Sequence, residues 1–332
     1  IKGMDGLMAT LVVVIAGAEL FRPFSVIEHL FMARVDAKSS VRVQFAQVLI
    51  SAAFKLALIA LRAPLIWFAW VYVLETFVLA AGYSLALARD GASWRTWTVS
   101  RSTLRYLVNE SWPMLVYGVA LYIQAKIDQV MIGDMLASTM GQEAAYAEVG
   151  QYSVALKMIE AMGFLPVIVQ KSLAPAITRA KVQDPALYAD RLLNQYRLMF
   201  LMFLVTSVPL YFLAKPLIVW LYGEAFEPAG ALLSLFAIRL FFTNMGVAKA
   251  SFITNEGLFR YSLLTAVVGA GLNIAINYFL IPPFKSIGAI WATIGSFLVS
   301  IFLMDLLFTR TRVNFRWMVH GMATFWRFHR AT

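Results

Sequence analysis

Long apolar stretches alternate with short polar or basic connections along the whole chain. About 20 mostly apolar residues form a helix long enough to cross the roughly 30 Å hydrocarbon core of a bilayer. Nine stretches reach this length: 7–33, 41–61, 65–87, 112–132, 150–175, 193–213, 229–254, 258–281 and 286–308. The pattern therefore predicts nine transmembrane helices.

Prolines mark several of the predicted helix ends. Pro113 and Pro64 suit the first turn of a helix, where the missing N–H would have no intrahelical partner anyway. Pro282 and Pro283 punctuate the link between the last two spans. Pro166 lies inside its stretch and is expected to kink that helix.

Composition points to the same class of protein. Of the 332 residues, 61% are hydrophobic and 14% are charged, whereas a soluble domain is about 45–50% apolar and about 25% charged. We therefore expect an all-α polytopic membrane protein. The chain has no cysteine, which excludes disulfides and thiolate metal sites, and its three histidines (His29, His320 and His329) are scattered. No metal site is expected.

Lysine and arginine are distributed unevenly between alternate connections of the predicted spans. This distribution predicts the orientation of the chain in the membrane. One set of alternate connections carries Arg34, Lys38, Arg42, Arg89, Arg95, Arg101, Arg105, Lys171, Arg179, Lys181, Arg191, Arg197, Arg260, Arg310, Arg312, Arg316, Arg327 and Arg330. The other set carries only Lys2, Arg62, Lys215 and Lys285. Because basic loops are retained in the cytoplasm, the C-terminus is predicted to be cytoplasmic. The net charge of +10 is then a topology signal, and no nucleic-acid partner is expected.

Two connections stand out by composition. The 129–149 connection lacks Lys and Arg but holds Asp134, Glu143 and Glu148, as an external loop can. The tail, 310–332, mixes Trp, Phe and Arg. It suits either an interfacial helix on the inner leaflet or a disordered basic tail.

Several motifs resemble those of bacterial O-antigen flippases, in the polysaccharide-transporter branch of the multidrug/oligosaccharidyl-lipid/polysaccharide exporter superfamily. The matching stretches are ESWP (110–113), IDQVMIG (127–133), GQYSVALKMIEAMGFLP (150–166), SLAPAI (172–177), PLIVWLYGEAF (216–226) and the segment 256–298. Within that last segment the matching positions are Asn273, Asn277, Leu280, Ile281, Pro282, Gly288, Ala289, Ala292 and Thr293. The resemblance covers essentially the whole chain, and is strongest after residue 100.

The resemblance implies an arrangement of helices. Family members have two six-helix lobes joined by a cytoplasmic linker, and 110–133 is similar to the first helix of the second lobe. We therefore expect a partial N-terminal lobe of three helices (1–88), a linker (89–108), a complete six-helix C-terminal lobe (109–309) and a cytoplasmic tail (310–332). Three further helices would precede Ile1 in the intact protein.

The resemblance also implies a function. It is the translocation of undecaprenyl-diphosphate-linked O-antigen repeat units from the cytoplasmic to the periplasmic leaflet of the bacterial inner membrane, by alternating access. The implied partners are the lipid-linked oligosaccharide, membrane lipids, and polysaccharide polymerase and assembly proteins. A multidrug exporter of the same superfamily is the first alternative. A polytopic O-antigen polymerase or ligase is disfavoured, because the longest external link contains no His, Lys or Arg, so we expect a protein that is not an enzyme.

Two cations inside predicted spans are candidates for binding the diphosphate. Arg239 lies about ten residues into its span, near the midplane at 1.5 Å per residue. Lys126 lies in the outer half of its helix. Intramembrane charges usually face a bundle interior or a water-filled cavity, and phosphate oxygens accept strong hydrogen bonds from Arg and Lys. The alternatives are a structural ion pair for Arg239 and snorkelling to the outer interface for Lys126.

Intramembrane carboxylates are candidates for Na⁺ or H⁺ coupling. They are Asp128, Glu75 and Glu160, since a coupled carrier needs an acidic group that binds the ion in one state only. Structural alternatives remain for each. Asp128 suits a contact across the bundle, and the spacing of Lys157 and Glu160, like that of Glu19 and Arg22, allows pairing on one helix face. Lys55 and Glu75 suit a pair between helices.

Polar residues near the ends and packed faces of spans have simpler explanations. Lys249 and Asp305 lie near inner helix ends, where snorkelling accounts for them. Asn273 and Asn277 are one turn apart beside small residues, a pattern typical of close helix packing.

Overall fold

The computed structural model describes residues 2–33, 37–91, 97–98 and 100–327. All regular elements in this part of the chain are helices, as the all-α prediction requires. The chain divides into two compact units, Ile1–Leu104 and Arg105–Thr332.

The first unit contains three apolar helical segments, each long enough to be a candidate membrane span. These are α1 (Lys2–Ala18), a 3₁₀ segment (Glu19–Ser25) and α2 (Val26–Ala33), followed by α3 (Ala37–Ala60) and α4 (Leu65–Arg89). The predicted first span is thus interrupted by the 3₁₀ segment, which contains Pro23. Pro64 is the N-cap of α4, as predicted. Side chains from α2 and α4 form a small core: Ile27, Phe31, Tyr83 and Leu87.

The second unit holds the longer helices. They are α5 (Arg101–Met140, whose first turn belongs to the first unit), α6 (Gln142–Met162), α7 (Phe164–Gln183), α8 (Pro185–Tyr222), α9 (Glu227–Phe236), α10 (Arg239–Asn255), α11 (Phe259–Phe297), a π-helical turn (Leu298–Leu303), α12 (Met304–Leu307) and α13 (Arg312–Ala323). A 3₁₀ turn, Glu224–Phe226, precedes α9.

Helix α5 begins earlier than predicted. It starts at Arg101 and encloses Pro113, which the sequence had suggested would lie in the first turn. The hydroxyl of Ser100 accepts a hydrogen bond from the Thr103 N–H at 3.5 Å, which helps to start the helix there. The end of the interval 89–108 is therefore helical rather than a free linker.

One helix break differs from the sequence expectation and another confirms it. The 129–149 connection is not a long loop, because α5 and α6 are separated only by Gly141, at φ 84°. The predicted kink in the helix that contains Pro166 is present, as a break at Gly163 between α6 and α7. Proline acts on the turn before it, because its ring clashes with the carbonyl four residues earlier. That residue is Met162, where α6 ends.

The last long helix is a hairpin. The backbone reverses at Lys285 (φ 51°, ψ −133°) within α11. As a result, Asn273 and Thr293 lie opposite each other, with their side chains hydrogen-bonded at 3.4 Å. Gly288 meets the Leu280 carbonyl so closely that a Cβ would lie 2.1 Å from its oxygen.

The nine predicted stretches are all accounted for in the described residues. Seven helices are long and apolar enough to cross a membrane, or eight when α9 and α10, which meet at a 46° bend, count as one span. The chain reversal at Lys285 divides the last of these helices into two spans. Large apolar side chains face outward, as lipid contact requires; Phe212 is 73% exposed and Trp220 is 80% exposed.

Contacts inside the second unit bring the connections between its helices together at two ends of the helices. Lys181 pairs with Glu256 at one end. At the other, Gln151 Nε2 donates to the Ala225 carbonyl at 2.8 Å, and the Ser286 N–H donates to Glu148 at 3.3 Å. The distribution of lysine and arginine predicts that these two ends lie on opposite sides of the membrane.

The tail forms a docked helix over much of its length. In α13, the side chains of Asn314 and Met318 and the backbone of Gly321 are buried. Tyr196 on α8 donates to Asn314 at 2.6 Å. The alternative of a disordered tail is therefore wrong for Arg312–Ala323, while the prediction for Arg330 lies outside the described residues.

Candidate functional site

Asp128 is the centre of a buried polar cluster in the second unit. Its carboxylate is fully buried and accepts three hydrogen bonds at 2.6 Å, from Tyr152 Oη, Asn277 Nδ2 and Thr293 Oγ1. The donors come from α6 and from both arms of the α11 hairpin. The cluster thus joins α5 to three other helix segments, and the contact across the bundle that the sequence allowed for Asp128 is present.

The residues that form this cluster are the ones that carried the family resemblance. Asp128 lies in IDQVMIG, Tyr152 in GQYSV, and Asn277 and Thr293 in the segment 256–298. Asn273 completes the set, because its Oδ1 accepts from Asn277 Nδ2 at 3.1 Å. Motifs far apart in the sequence meet at one buried carboxylate. The amide of Asn277 hydrogen-bonds across the helices, as the prediction of close helix packing held by amide groups requires.

Arg239 lies at the bend between α9 and α10, as the first residue of α10. It is only 6% exposed. Its guanidinium lies 5.8 Å from the ring centroid of Phe236 and 5.5 Å from that of Phe297. Nε and Nη1 are buried and have no hydrogen-bond partner among the described residues. The structural ion pair considered for Arg239 is not found in this part of the chain.

The two other buried cations among the described residues of the second unit, Arg197 and Lys249, have polar partners, whereas the half-buried Arg191 shares with Arg239 a buried Nε that has no hydrogen-bond partner. Arg197 donates to Thr324 and Asn194 at 3.0 and 2.8 Å. Lys249 Nζ lies 2.6 Å from Asp305 Oδ1. An unpaired buried guanidinium is costly, so the two free donors of Arg239 mark a place where an anion would be stabilised.

Aromatic contacts connect Arg239 to the Asp128 cluster. Phe236, under the guanidinium, packs edge-on against Tyr152 with 5.2 Å between ring centroids. Tyr152 in turn donates to Asp128. A shift of the Tyr152 ring would therefore move Phe236 and change its contact with the Arg239 guanidinium.

Lys126 and Asp128 point to different faces of α5, as their spacing predicted. Lys126 Nζ binds Glu160 Oε1 on α6 at 2.6 Å, with both side chains about one-third exposed. The predicted Lys157–Glu160 pairing is not present among the described residues, because Lys126 occupies the Glu160 carboxylate. Lys157 is exposed and lies one turn before Glu160. The surface patch formed by Lys126, Lys157 and Glu160 therefore carries two cations and one anion.

Glu75 belongs to a separate polar contact in the first unit. It accepts from Lys55 at 2.6 Å and from the hydroxyl of Ser51. The predicted pair between helices α3 and α4 is therefore present, as is the predicted pair of Glu19 and Arg22 at 3.1 Å. A carboxylate already neutralised by lysine is a poorer cation site than Asp128.

Lys249 does not snorkel, contrary to the prediction. It is 8% exposed at the side chain, is paired with the fully buried Asp305, and donates to the Ile301 carbonyl at 2.8 Å. That carbonyl belongs to the π-helical turn, where the regular helical hydrogen bonding is interrupted. The lysine is thus part of the packed interior.

Sequence reasoning missed Tyr152 and Thr293 as partners of Asp128. Each lies in a stretch that had been recognised as matching the family. The available signal was the presence of hydroxyl and amide side chains in those motifs together with one intramembrane carboxylate. Such groups in a span need partners across the bundle.

Fold and site together define a polytopic α-helical membrane protein whose C-terminal unit encloses a polar cluster and an unpaired arginine. Residues 5–231 match the model of the family described as polysaccharide biosynthesis protein. The chain belongs to this family, which confirms the recognition made from the motifs; the segment 256–298 lies beyond the matched residues. No curated protein matches the chain significantly.

Proposed function

We propose that the protein is a flippase, and not an enzyme, that moves undecaprenyl-diphosphate-linked polysaccharide repeat units, such as those of O-antigen, from the cytoplasmic to the periplasmic leaflet of the bacterial inner membrane. Membership of the polysaccharide biosynthesis family supports the pathway. The observation that carries the proposal is Arg239, a buried guanidinium with two unpartnered donors at a helix bend.

A diphosphate needs such donors because a bare anion is far too costly in hydrocarbon. Arg offers a planar fork that matches phosphate oxygens, whereas Lys is a point charge. In the proposed cycle, Arg239 binds the diphosphate near the midplane. Lys126, with Lys157 beside it, offers a second positive site on the α5–α6 surface. The carboxylate of Glu160 reduces the positive potential at this second site, so that release of the diphosphate remains favourable.

Movement against a gradient requires an energy source, and we propose coupling to Na⁺ or H⁺. Asp128 is the best-placed carboxylate, because it is fully buried and its partners are neutral donors. The lipid-linked oligosaccharide is the proposed substrate. Polysaccharide polymerase and assembly proteins are the proposed partners, and the basic end of the second unit is the cytoplasmic one.

The test is O-antigen ladder formation in a flippase-null strain that expresses the complete gene. Arg239→Ala should abolish the ladder, and Arg239→Lys should retain part of it, because the charge remains while the fork is lost. Arg260→Ala, at an exposed position of α11, is the control and should support a normal ladder. If Arg239→Ala is present at normal membrane levels and still gives a full ladder, the diphosphate role is wrong.

A further inference from the structure

Helix α13 is held against the rest of the second unit by one face. Asn314, Met318 and Gly321, which recur at helical spacing, are buried. The side chain of Asn314 accepts from Tyr196 Oη at 2.6 Å and donates to Asp305 Oδ2 at 2.7 Å. A Cβ at Gly321 would lie 2.7 Å from the Cβ of Tyr196. These contacts fix the orientation of the helix, so that its opposite face is presented to the surroundings.

The opposite face carries two arginines and a histidine. Arg312, Arg316 and His320 follow one another at intervals of four residues and are exposed. Because side chains four residues apart lie on the same side of a helix, these three form one row. The ion pairs of the described residues include neither arginine, and the sequence contains no Asp or Glu after Asp305. The positive charge of this row is therefore not balanced by a carboxylate of the same segment.

An open groove of about 500 Å³ lies on this face. Its lining residues are Phe315, Arg316, Trp317, Val319, His320 and Ala323. Arg316 and His320 supply N–H donors, whereas the remaining lining side chains are apolar or aromatic. Arginine binds phosphate oxygens through its planar guanidinium fork. A ligand that complements the groove therefore combines an anionic group with hydrocarbon.

The segments before and after α13 indicate that the helix lies at a bilayer surface. Leu307 is 70% exposed shortly before the helix, and Trp326 is 61% exposed shortly after it. Arg310 and Arg327 are exposed in the same two segments. Exposed apolar and tryptophan side chains interleaved with arginine are typical of the membrane interface, where the rings reach the acyl chains and the charges remain among the headgroups. This composition favours a lipid over a soluble protein as the ligand.

We propose that the exposed face of α13 is a binding site for an anionic phospholipid. The phosphate lies against Arg312 and Arg316, with His320 as a further donor, and an acyl chain covers the groove beside Val319. A lipid of net negative charge balances the two arginines, whereas a zwitterionic lipid brings its own ammonium group close to them. Because α13 is already folded and docked, little conformational entropy is lost on binding.

The first experiment places a fluorescent dye on this face. The chain has no cysteine, so the Ala323→Cys variant can be labelled at a single exposed position within the row. The labelled protein is reconstituted in phosphatidylcholine nanodiscs that contain increasing fractions of brominated phosphatidylglycerol or of brominated phosphatidylcholine. Bromine quenches the dye at short range. We expect half-maximal quenching at a mole fraction at least about fivefold lower for brominated phosphatidylglycerol, since each arginine near an anionic surface contributes about fivefold to affinity.

Variants assign the preference to the arginine row. Arg312→Gln/Arg316→Gln, in the labelled background, should make the two brominated lipids quench equally. Arg316→Gln alone should raise the half-quenching mole fraction of brominated phosphatidylglycerol about two- to fivefold. Arg179→Gln/Arg260→Gln removes two exposed arginines of the second unit that lie outside α13. It is the matched control and should keep the wild-type preference. Equal unfolding midpoints of all variants in detergent show that each is folded.

Two results would overturn the proposal. Equal quenching of the wild-type protein by both brominated lipids would mean that α13 touches lipid without selecting an anionic headgroup. Quenching of the dye by iodide in the buffer, and by neither brominated lipid, would mean that this face is turned to water and is open to a soluble protein partner instead. A preference for phosphatidylglycerol that is lost in the α13 double variant and kept in the control supports the lipid site.

Discussion

Lys126 on α5 and Glu160 on α6 form an ion pair at 2.6 Å, while Lys157, one turn before Glu160, stays exposed. Both side chains of the pair are about one-third exposed. The pair can either hold α5 and α6 together or, under the proposed function, lie at the second site for the diphosphate.

The first prediction separates those two roles by charge exchange. Lys126→Glu should abolish O-antigen export, and Lys126→Arg should be tolerated. In the double variant Lys126→Glu/Glu160→Lys the pair is restored with reversed orientation. We expect normal membrane levels but no full ladder from it, because the positive charge has moved to α6. A full ladder from the double variant would show that the pair only holds the two helices together.

The second prediction concerns the buried pair of Lys249 and Asp305. Lys249→Met leaves the fully buried Asp305 carboxylate without its cation, which typically costs about 3–5 kcal/mol. The unfolding midpoint in detergent should fall by at least about 6 °C. Lys215→Met breaks the exposed Lys215–Glu227 pair and is the control, with a loss of about 0–1 kcal/mol. Equal midpoints for the two variants would contradict the buried pairing.

The fold was largely predictable because the main signal is local. The length of an apolar stretch alone decides whether a helix can span a bilayer, and all nine stretches lie in helices of the described residues. Helix ends were less predictable. Pro113 was expected in the first turn of its helix, but α5 begins at Arg101 and encloses it.

The charged residues of the site could be predicted from the sequence, but their partners could not. Asp128 and Arg239 were found because a charge in an apolar stretch is conspicuous by itself. Their partners were not, since Thr293 lies 165 positions from Asp128 and only the folded chain brings them together. The same limit explains Lys249. Considered on one helix it suits snorkelling, but its partner Asp305 is contributed by another helix.

The third prediction tests orientation with two positions on α5. Ser102 and Ser138 are exposed and lie near opposite ends of this 40-residue helix, about 54 Å apart at 1.5 Å per residue. The chain has no cysteine, so single cysteines have no background. An impermeant thiol reagent on intact cells, with the outer membrane made permeable, should label Ser138→Cys and spare Ser102→Cys until the inner membrane is opened. Equal labelling of both in intact cells would refute the orientation.

The fourth prediction concerns the hairpin that brings Asn277 and Thr293 onto Asp128. A methyl group at Gly288 would lie 2.1 Å from the backbone oxygen of Leu280, so the two arms must separate in Gly288→Ala. Overpacking of this kind costs about 1–3 kcal/mol or more. Gly271→Ala is the matched control in the same helix, because nothing lies within 4 Å of the added methyl.

Since alanine is also the better helix former by about 1 kcal/mol, Gly271→Ala should unfold at the wild-type midpoint or slightly above it. Gly288→Ala should unfold earlier, because its hairpin arms are displaced. Thermal unfolding of both variants in detergent measures the difference. A Gly288→Ala protein as stable as Gly271→Ala would mean that the arms do not need this close approach to hold the Asp128 cluster.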